Sequence, residues 1–174
     1  MNKVWVSAKE YVGNNISYND KRFLNLSSAI INGMRKEVNN LMPIIDDQVA
    51  INIYTKKLLE NSSVFIRVLT TKERTHIYAV IIMQITDGDF TKRALTFPLT
   101  TLTEKSSKKD IFKVVKECKK LIEKLRERAD YVYLETVLKD DTIIPHNKRI
   151  LEWYNNKYGG VSKIYEVYVA KVYN

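Results

Sequence analysis

Apolar residues recur at three- and four-residue intervals through Phe23, Leu26, Ile30, Met34, Val38 and Leu41, the spacing that lines one face of an α-helix. Asn19 or Asp20 can cap its start and Pro43 ends it, so a helix is predicted from there to about Leu41. Its apolar stripe must face a sheet or another helix. Before it, "KVWVS" (Lys3 to Ser7) alternates as a short strand does. After it, "DQVAINIYTKKLLEN" (Asp47 to Asn61) reads as a second, shorter helix despite its β-branched residues.

Three strands follow in the pattern: "SVFIRVL" (Ser63 to Leu69), "THIYAVIIMQI" (Thr75 to Ile85) and "RALTFPLTTL" (Arg93 to Leu102). The connections "TTKER" and "TDGDFTK" are short, and Gly88 can supply the positive φ of a hairpin turn, so an antiparallel meander is expected. In the middle strand Ile77, Ala79, Ile81, Met83 and Ile85 fall on one face, and Tyr78, Val80 and Ile82 on the other. A strand apolar on both faces belongs at the centre of a covered sheet.

A long helix is predicted from about Lys108 to Ala129, with Ile111, Val114, Val115, Cys118, Leu121, Ile122 and Leu125 on one face. "YVYLETVL" (Tyr131 to Leu138) is then a buried strand. The β-helix-β crossover makes it parallel to the strand before the helix. "PHNKRILEWYNNKYGG" (Pro145 to Gly160) has proline near its start and glycine at its end, the usual asymmetry of a helix. "KIYEVYVAKVY" (Lys163 to Tyr173) reads as a last strand, and no repeat or low-complexity linker interrupts the chain.

With 174 residues, 45% hydrophobic and 28% charged, the chain suits one fully folded domain spanning 1–174. No apolar run is long enough for a membrane span, and "MNKVWVSAKEYVG" lacks the apolar core of a signal peptide, so a cytoplasmic or virion location is expected. One cysteine and two histidines exclude an internal disulfide and a Cys/His zinc cage. The net charge of +9 favours an anionic partner. Nine cations against Asp110, Glu117, Glu123 and Glu127 put +5 of it between Lys108 and Arg128. There Lys109, Lys113, Lys116 and Lys120 form one stripe, either a solvated face balanced by the glutamates or a surface for an acidic partner or for weak, sequence-independent nucleic-acid contact.

The order of strand, two helices, three antiparallel strands, long helix, parallel strand, helix and strand resembles the GNAT superfamily of N-acetyltransferases over nearly the whole chain. Local echoes are "ADYVYLETV", similar to that family's fifth strand, and "NKRILEWYNNKYGG", similar to the helix that follows it. The resemblance implies an α/β (α+β) fold: a central mixed, mostly antiparallel sheet flanked by about four helices. It also implies coenzyme A, with contacts expected from Thr100, Leu102, Lys105, Ser106, Ser107, Lys108 and Lys109. By the same resemblance Tyr154 is the candidate acid for the departing thiolate. Glu135, on the parallel strand, is a candidate general base.

The chain departs from the family where the pyrophosphate would sit. In place of the Arg/Gln-x-x-Gly-x-Gly/Ala motif it reads "TEKSSKKD". Ser107 and Asp110 can form a capping box, and the Asp110 carboxylate would repel phosphate, whereas Lys105, Lys108 and Lys109 could clamp it. Pro98 suits a bulge or an edge and has no N–H to offer a thioester carbonyl. His76 and His146 show no partner in the sequence. Cys118 is in phase with the core, as a small buried hydrophobe is.

With the fold pattern present and the glycine motif missing, the leading expectation is a non-catalytic GNAT-like structural subunit of a larger protein assembly, such as a phage or other virus particle, without a cofactor. The alternatives are a divergent N-acetyltransferase using acetyl-coenzyme A and a basic nucleic-acid-binding module. The assembly reading puts protein contacts on Trp153, Tyr154, Tyr158, Tyr165, Tyr168 and Tyr173, amphipathic rings of the kind enriched in interfaces.

Overall fold

The computed structural model describes residues 2–14, 16–38, 48–87, 93–133, 138–139, 142–143 and 145–159. In chain order the elements are β1 (Lys3–Ser7), α1 (Ala8–Val12), α2 (Lys21–Val38), α3 (Gln48–Glu60), β2 (Val64–Thr71), β3 (Ile77–Asp87), β4 (Arg93–Leu102) and α4 (Lys108–Leu125). A 3-10 turn (Arg126–Arg128) leads to β5 (Tyr131–Tyr133), β6 (Leu138–Lys139), β7 (Thr142–Ile143) and α5 (Pro145–Tyr158).

The main sheet runs β1-β2-β3-β4-β5. Its first four strands are antiparallel neighbours, and β5 is parallel to β4 as the crossover requires, with Ala94, Leu95 and Thr96 opposite Tyr131, Val132 and Tyr133. One face packs on α1, α2 and α3 through Tyr11, Phe23, Leu26, Ile30 and Leu59. The other packs on α4 and α5 through Val114, Cys118, Ile122, Leu125 and Ile150. This is a three-layer fold with β3 buried at its centre.

Most predicted elements are present with shifted ends. Asp20, not Asn19, caps α2: its carboxylate accepts from Arg22 N–H at 2.8 Å and Phe23 N–H at 3.0 Å. Helix α1 was not predicted, because five residues show no periodicity. Its signature is the capping box of "SAKE", in which Ser7 N–H donates to Glu10 at 2.7 Å and Glu10 N–H to Ser7 Oγ at 3.1 Å. Gly159, at φ 70°, ends α5 where the sequence placed the stop. The single strand expected over Tyr131 to Leu138 is corrected at its end: Tyr131–Tyr133 form β5, 134–137 lie outside the described residues, and Leu138 pairs with Ile143 in a separate two-stranded ladder. Gly88, Glu135 and the expected strand from Lys163 to Tyr173 lie outside the described residues.

Two bulges re-aim the central strands. Leu69 pairs with Ala79 but Thr70 with Ile77, so Tyr78 is an extra residue in β3. Ile77 therefore joins Val80 and Ile82 on the α2 face, while Tyr78 joins Ala79, Ile81 and Met83 on the α4 face. This reverses the faces that plain alternation assigns to Ile77 and Tyr78. In β4, Ile82 pairs with Leu99 and Gln84 with Thr96, so Phe97 and Pro98 stand opposite Met83 alone. Pro98 is exposed on this bulge, Leu95 and Phe97 face α4, and Leu99 faces α2.

Candidate cofactor-binding site

The segment from β4 into α4 is tied down by hydroxyls rather than glycines. Thr103 N–H donates to Tyr78 O at 3.0 Å and its Oγ1 to Ile77 O at 2.7 Å, which anchors the loop to the bulged end of β3. Ser106 donates to Thr103 O from its N–H at 3.1 Å and from its hydroxyl at 2.6 Å. Ser107 donates to Asp110 Oδ2 from its N–H at 2.7 Å and from its hydroxyl at 3.0 Å. None of Thr103 to Ser107 has a positive φ, so the loop contains no glycine-type anion nest.

The Asp110 carboxylate caps Ser107 at the entrance of α4 from the buried side. It is 1% exposed, and Lys3 Nζ, reaching over from β1, lies 2.5 Å from Oδ2. Lys3 Nζ also stands 3.8 Å above the Tyr78 ring, which the β3 bulge turned to this face. Burial pushes the Asp110 carboxyl up, but the Lys3 ammonium and the Ser107 donors together outweigh it and hold it below the usual carboxylate range. The repulsion expected of Asp110 toward a phosphate is therefore offset by Lys3, an internal counter-charge that sequence spacing does not reveal.

The capping carboxylate occupies only part of the helix entrance. The backbone N–H groups of Lys105, Lys108 and Lys109 have no partner among the described residues, and their side chains are exposed. The first turn of an 18-residue helix and the loop before it thus present free donors, the positive end of the helix dipole and three ammonium groups together. Of the other expected contacts, Thr100 is buried beside Cys118 and Leu102 is packed into the α4-side core.

A groove of about 450 Å³ runs from this end of α4 toward α5, lined by Phe112, Val115, Lys119, Arg149 and Trp153 among others. Phe112 is 64% exposed, and the Arg149 guanidinium lies 4.8 Å from its ring centre. Neither residue is among those the sequence pattern singles out. Phe112 carried a signal, being an apolar residue beside rather than within the stripe of Ile111, Val115 and Cys118.

Tyr154 lies in α5, half-buried, its ring centre 4.8 Å from that of Tyr158 and 6.3 Å from that of Trp153. Arg126, just past the end of α4, stacks 3.7 Å from Tyr158. The described structure does not bring Tyr154 to the free donors of α4, which lie at the other end of that helix. Trp153, Tyr154 and Tyr158, three of the expected interface aromatics, are half-buried here; Tyr165, Tyr168 and Tyr173 lie outside the described residues. His76 is exposed before β3, and the His146 side chain lies outside the described residues. No cluster that could hold a metal, and no helix long and apolar enough to cross a membrane, occurs among the described residues.

No protein-family model matches the chain, and no curated protein matches it. Solved structures do. A possible acetyltransferase from Clostridium difficile 630 aligns at a TM-score of 0.60 with 16% identity, covering 97% of this chain and 99% of that one. A predicted acetyltransferase from Clostridium acetobutylicum, solved with acetyl-CoA, aligns at 0.57 with 13% identity over 96% of this chain and 95% of its own. Glucosamine-6-phosphate N-acetyltransferase from Arabidopsis thaliana aligns at 0.57 with 9% identity over 100% of both chains.

The chain has a divergent GNAT-like fold. The neighbours overturn the leading expectation of a non-catalytic subunit and its virion or phage setting, because they are acetyltransferases and favour the alternative. The expected absence of a cofactor is corrected likewise, since one neighbour was solved with acetyl-CoA. A helix entrance can offer donors without the glycine motif.

Proposed function

We propose that this chain is a divergent coenzyme A-dependent N-acetyltransferase. The observation that carries the proposal is the entrance of α4, where Lys3 neutralises Asp110 while the N–H groups of Lys105, Lys108 and Lys109 stay unpartnered. Free donors and lysines at a helix N-terminus suit a pyrophosphate. The exposed Phe112 face and Arg149 suit a purine ring and a phosphate, as stacking and charge-assisted bonds do elsewhere. Bound acetyl-coenzyme A would supply an activated acetyl thioester.

This chain's own residues would then bind and orient. Lys105, Lys108 and Lys109 hold the anionic end. The Phe97–Pro98 bulge, next to the three-residue pairing of β4 with β5, marks the strand along which the thioester arm would lie. Pro98 has no N–H, so any donor to the acetyl oxygen must come from another residue. Tyr154 remains the candidate for protonating the departing sulfur and Glu135 for accepting the amine proton.

The test is thermal unfolding with acetyl-coenzyme A. Ligand at a hundred times its dissociation constant stabilises the fold by about 2.7 kcal/mol. The expected shift should vanish when Lys105, Lys108 and Lys109 are changed together to Ala. No shift in the parent protein would sink the proposal.

A further inference from the structure

The lysine stripe of α4 is not the balanced face that the interleaved glutamates suggest, because every carboxylate of the helix is engaged elsewhere. Asp110 is held by Lys3, Glu117 pairs with Arg67 of β2 at 2.9 Å, and Glu123 with Lys157 of α5. Glu127 lies past the helix end, beside Arg126. Lys113, Lys116, Lys120 and Lys124 are left exposed on one side of α4, with no ion pair among the described residues. At 1.5 Å per residue this ridge is about 17 Å long.

The ridge leads into a groove of about 600 Å³ at the outer edge of the sheet. Pairing of β1 with β2 stops at Ser7 and Arg67, so Val64 to Ile66 of β2 continue without a β1 partner. The groove opens there, between the start of α1, the end of α3 and the C-terminal half of α4. Leu58, Phe65, Leu121 and Leu125 give it apolar walls, and Lys9, Lys120 and Lys124 stand among its lining beside the mutually paired Arg67 and Glu117.

We infer that this face docks an extended acidic segment of a partner protein, its carboxylates along the lysine ridge and one or two apolar side chains in the groove. Charge complementarity selects the acidic partner, since the three carboxylates within the helix are paired with Lys3, Arg67 and Lys157 rather than with the ridge. The apolar groove selects peptide over nucleic acid. A phosphate backbone would use the lysines but leave those walls uncovered, and stacking of bases calls for exposed rings. Five extended residues span the ridge. The groove and the Lys120–Lys124 end of the ridge lie about three turns along α4 from Lys109, and no residue lines both this groove and the Phe112 groove, so the inference does not rest on the cofactor reading.

The probe is a fluorescently labelled octapeptide with two leucines at one end and glutamates elsewhere, measured by anisotropy. Saturable, salt-sensitive binding is expected. It should weaken about tenfold in a Lys120→Glu/Lys124→Glu variant, and by a similar factor when serines replace the two leucines. Circular dichroism checks that the variant folds, and Lys120→Gln/Lys124→Gln serves if it does not. Unchanged affinity in a folded variant would overturn the inference, as would equal binding of the serine peptide. Displacement by oligothymidylate more effective than by unlabelled peptide would also overturn it and assign the ridge to nucleic acid. Retention of the acetyl-coenzyme A thermal shift in the same variant is expected and keeps the two proposals separable.

Discussion

Gly33 of α2 lies so close to Thr101 of β4 that a β-carbon placed on it would stand 2.5 Å from Thr101 Cγ2 and 2.8 Å from Thr101 Cβ. Only glycine allows the helix to approach the strand this closely. Gly33→Ala should destabilise the fold by about 1–3 kcal/mol, the usual range for overpacking, despite the better helix propensity of alanine. Thr101→Ser in that background removes the nearest methyl but not Cβ, so it should restore only part of the loss. Urea denaturation of the two variants decides this; a Gly33→Ala protein as stable as the parent would show that α2 can move outward freely.

The Lys3–Asp110 pair makes stability depend on acid in a defined direction. The Asp110 carboxyl is held below its unfolded value, so the folded state binds fewer protons there. Its contribution is complete above the ordinary carboxylate pKa of about 4 and is lost as pH falls through the lower folded value. Asp110→Ala should cost about 3 kcal/mol near neutral pH, the low end for breaking a buried pair because Lys3 keeps some solvent contact. Unfolding curves of parent and variant should converge at strongly acidic pH. A gap that stays constant from neutral pH to strong acid would mean that the carboxylate charge is not what matters.

Phe112 tests the cofactor site without threatening the fold. Being mostly exposed, it can become Ala with a stability change within about 0.5 kcal/mol. Loss of a stacking face should weaken acetyl-coenzyme A by about 1–3 kcal/mol, read by calorimetric titration. An unaltered dissociation constant would place the nucleotide end elsewhere.

Cys118 should behave as a burial marker. Its side chain is 0% exposed, and burial first, then the neighbouring Glu117 charge, pushes its thiol well up from the ordinary range. An aromatic disulfide reagent should leave the native protein unlabelled and react fully once urea unfolds it. Rapid labelling of the native protein would show that α4 opens from the sheet locally.

Part of the candidate site was legible in the sequence. Lys105, Lys108 and Lys109 are named by the family resemblance, which puts a pyrophosphate between β4 and the amphipathic helix, and Ser107 with Asp110 by capping-box spacing. Sequence spacing could not show which way Asp110 points, because its partner Lys3 is 107 positions away. Nor could it show that Glu117 and Glu123 leave the lysine stripe. Glutamates at helical spacing look like stripe partners until Arg67 and Lys157 are brought within reach of them.

By itself the sequence determined the type and order of β1, α2, α3, β2, β3, β4, α4 and α5, since helical and strand periodicities and end signals act within a few residues. It also determined the mixed sheet, because a helix between β4 and β5 requires a parallel return. Only the tertiary structure decided the two bulges, which depend on how neighbouring strands share their registers. From the bulges follow the faces of Ile77, Tyr78 and Leu99, the seat of Lys3 over Tyr78, and the free entrance of α4. The physical reason is one of range: capping and periodicity are local energies, whereas register, counter-charge and helix approach are set by residues far apart in the chain.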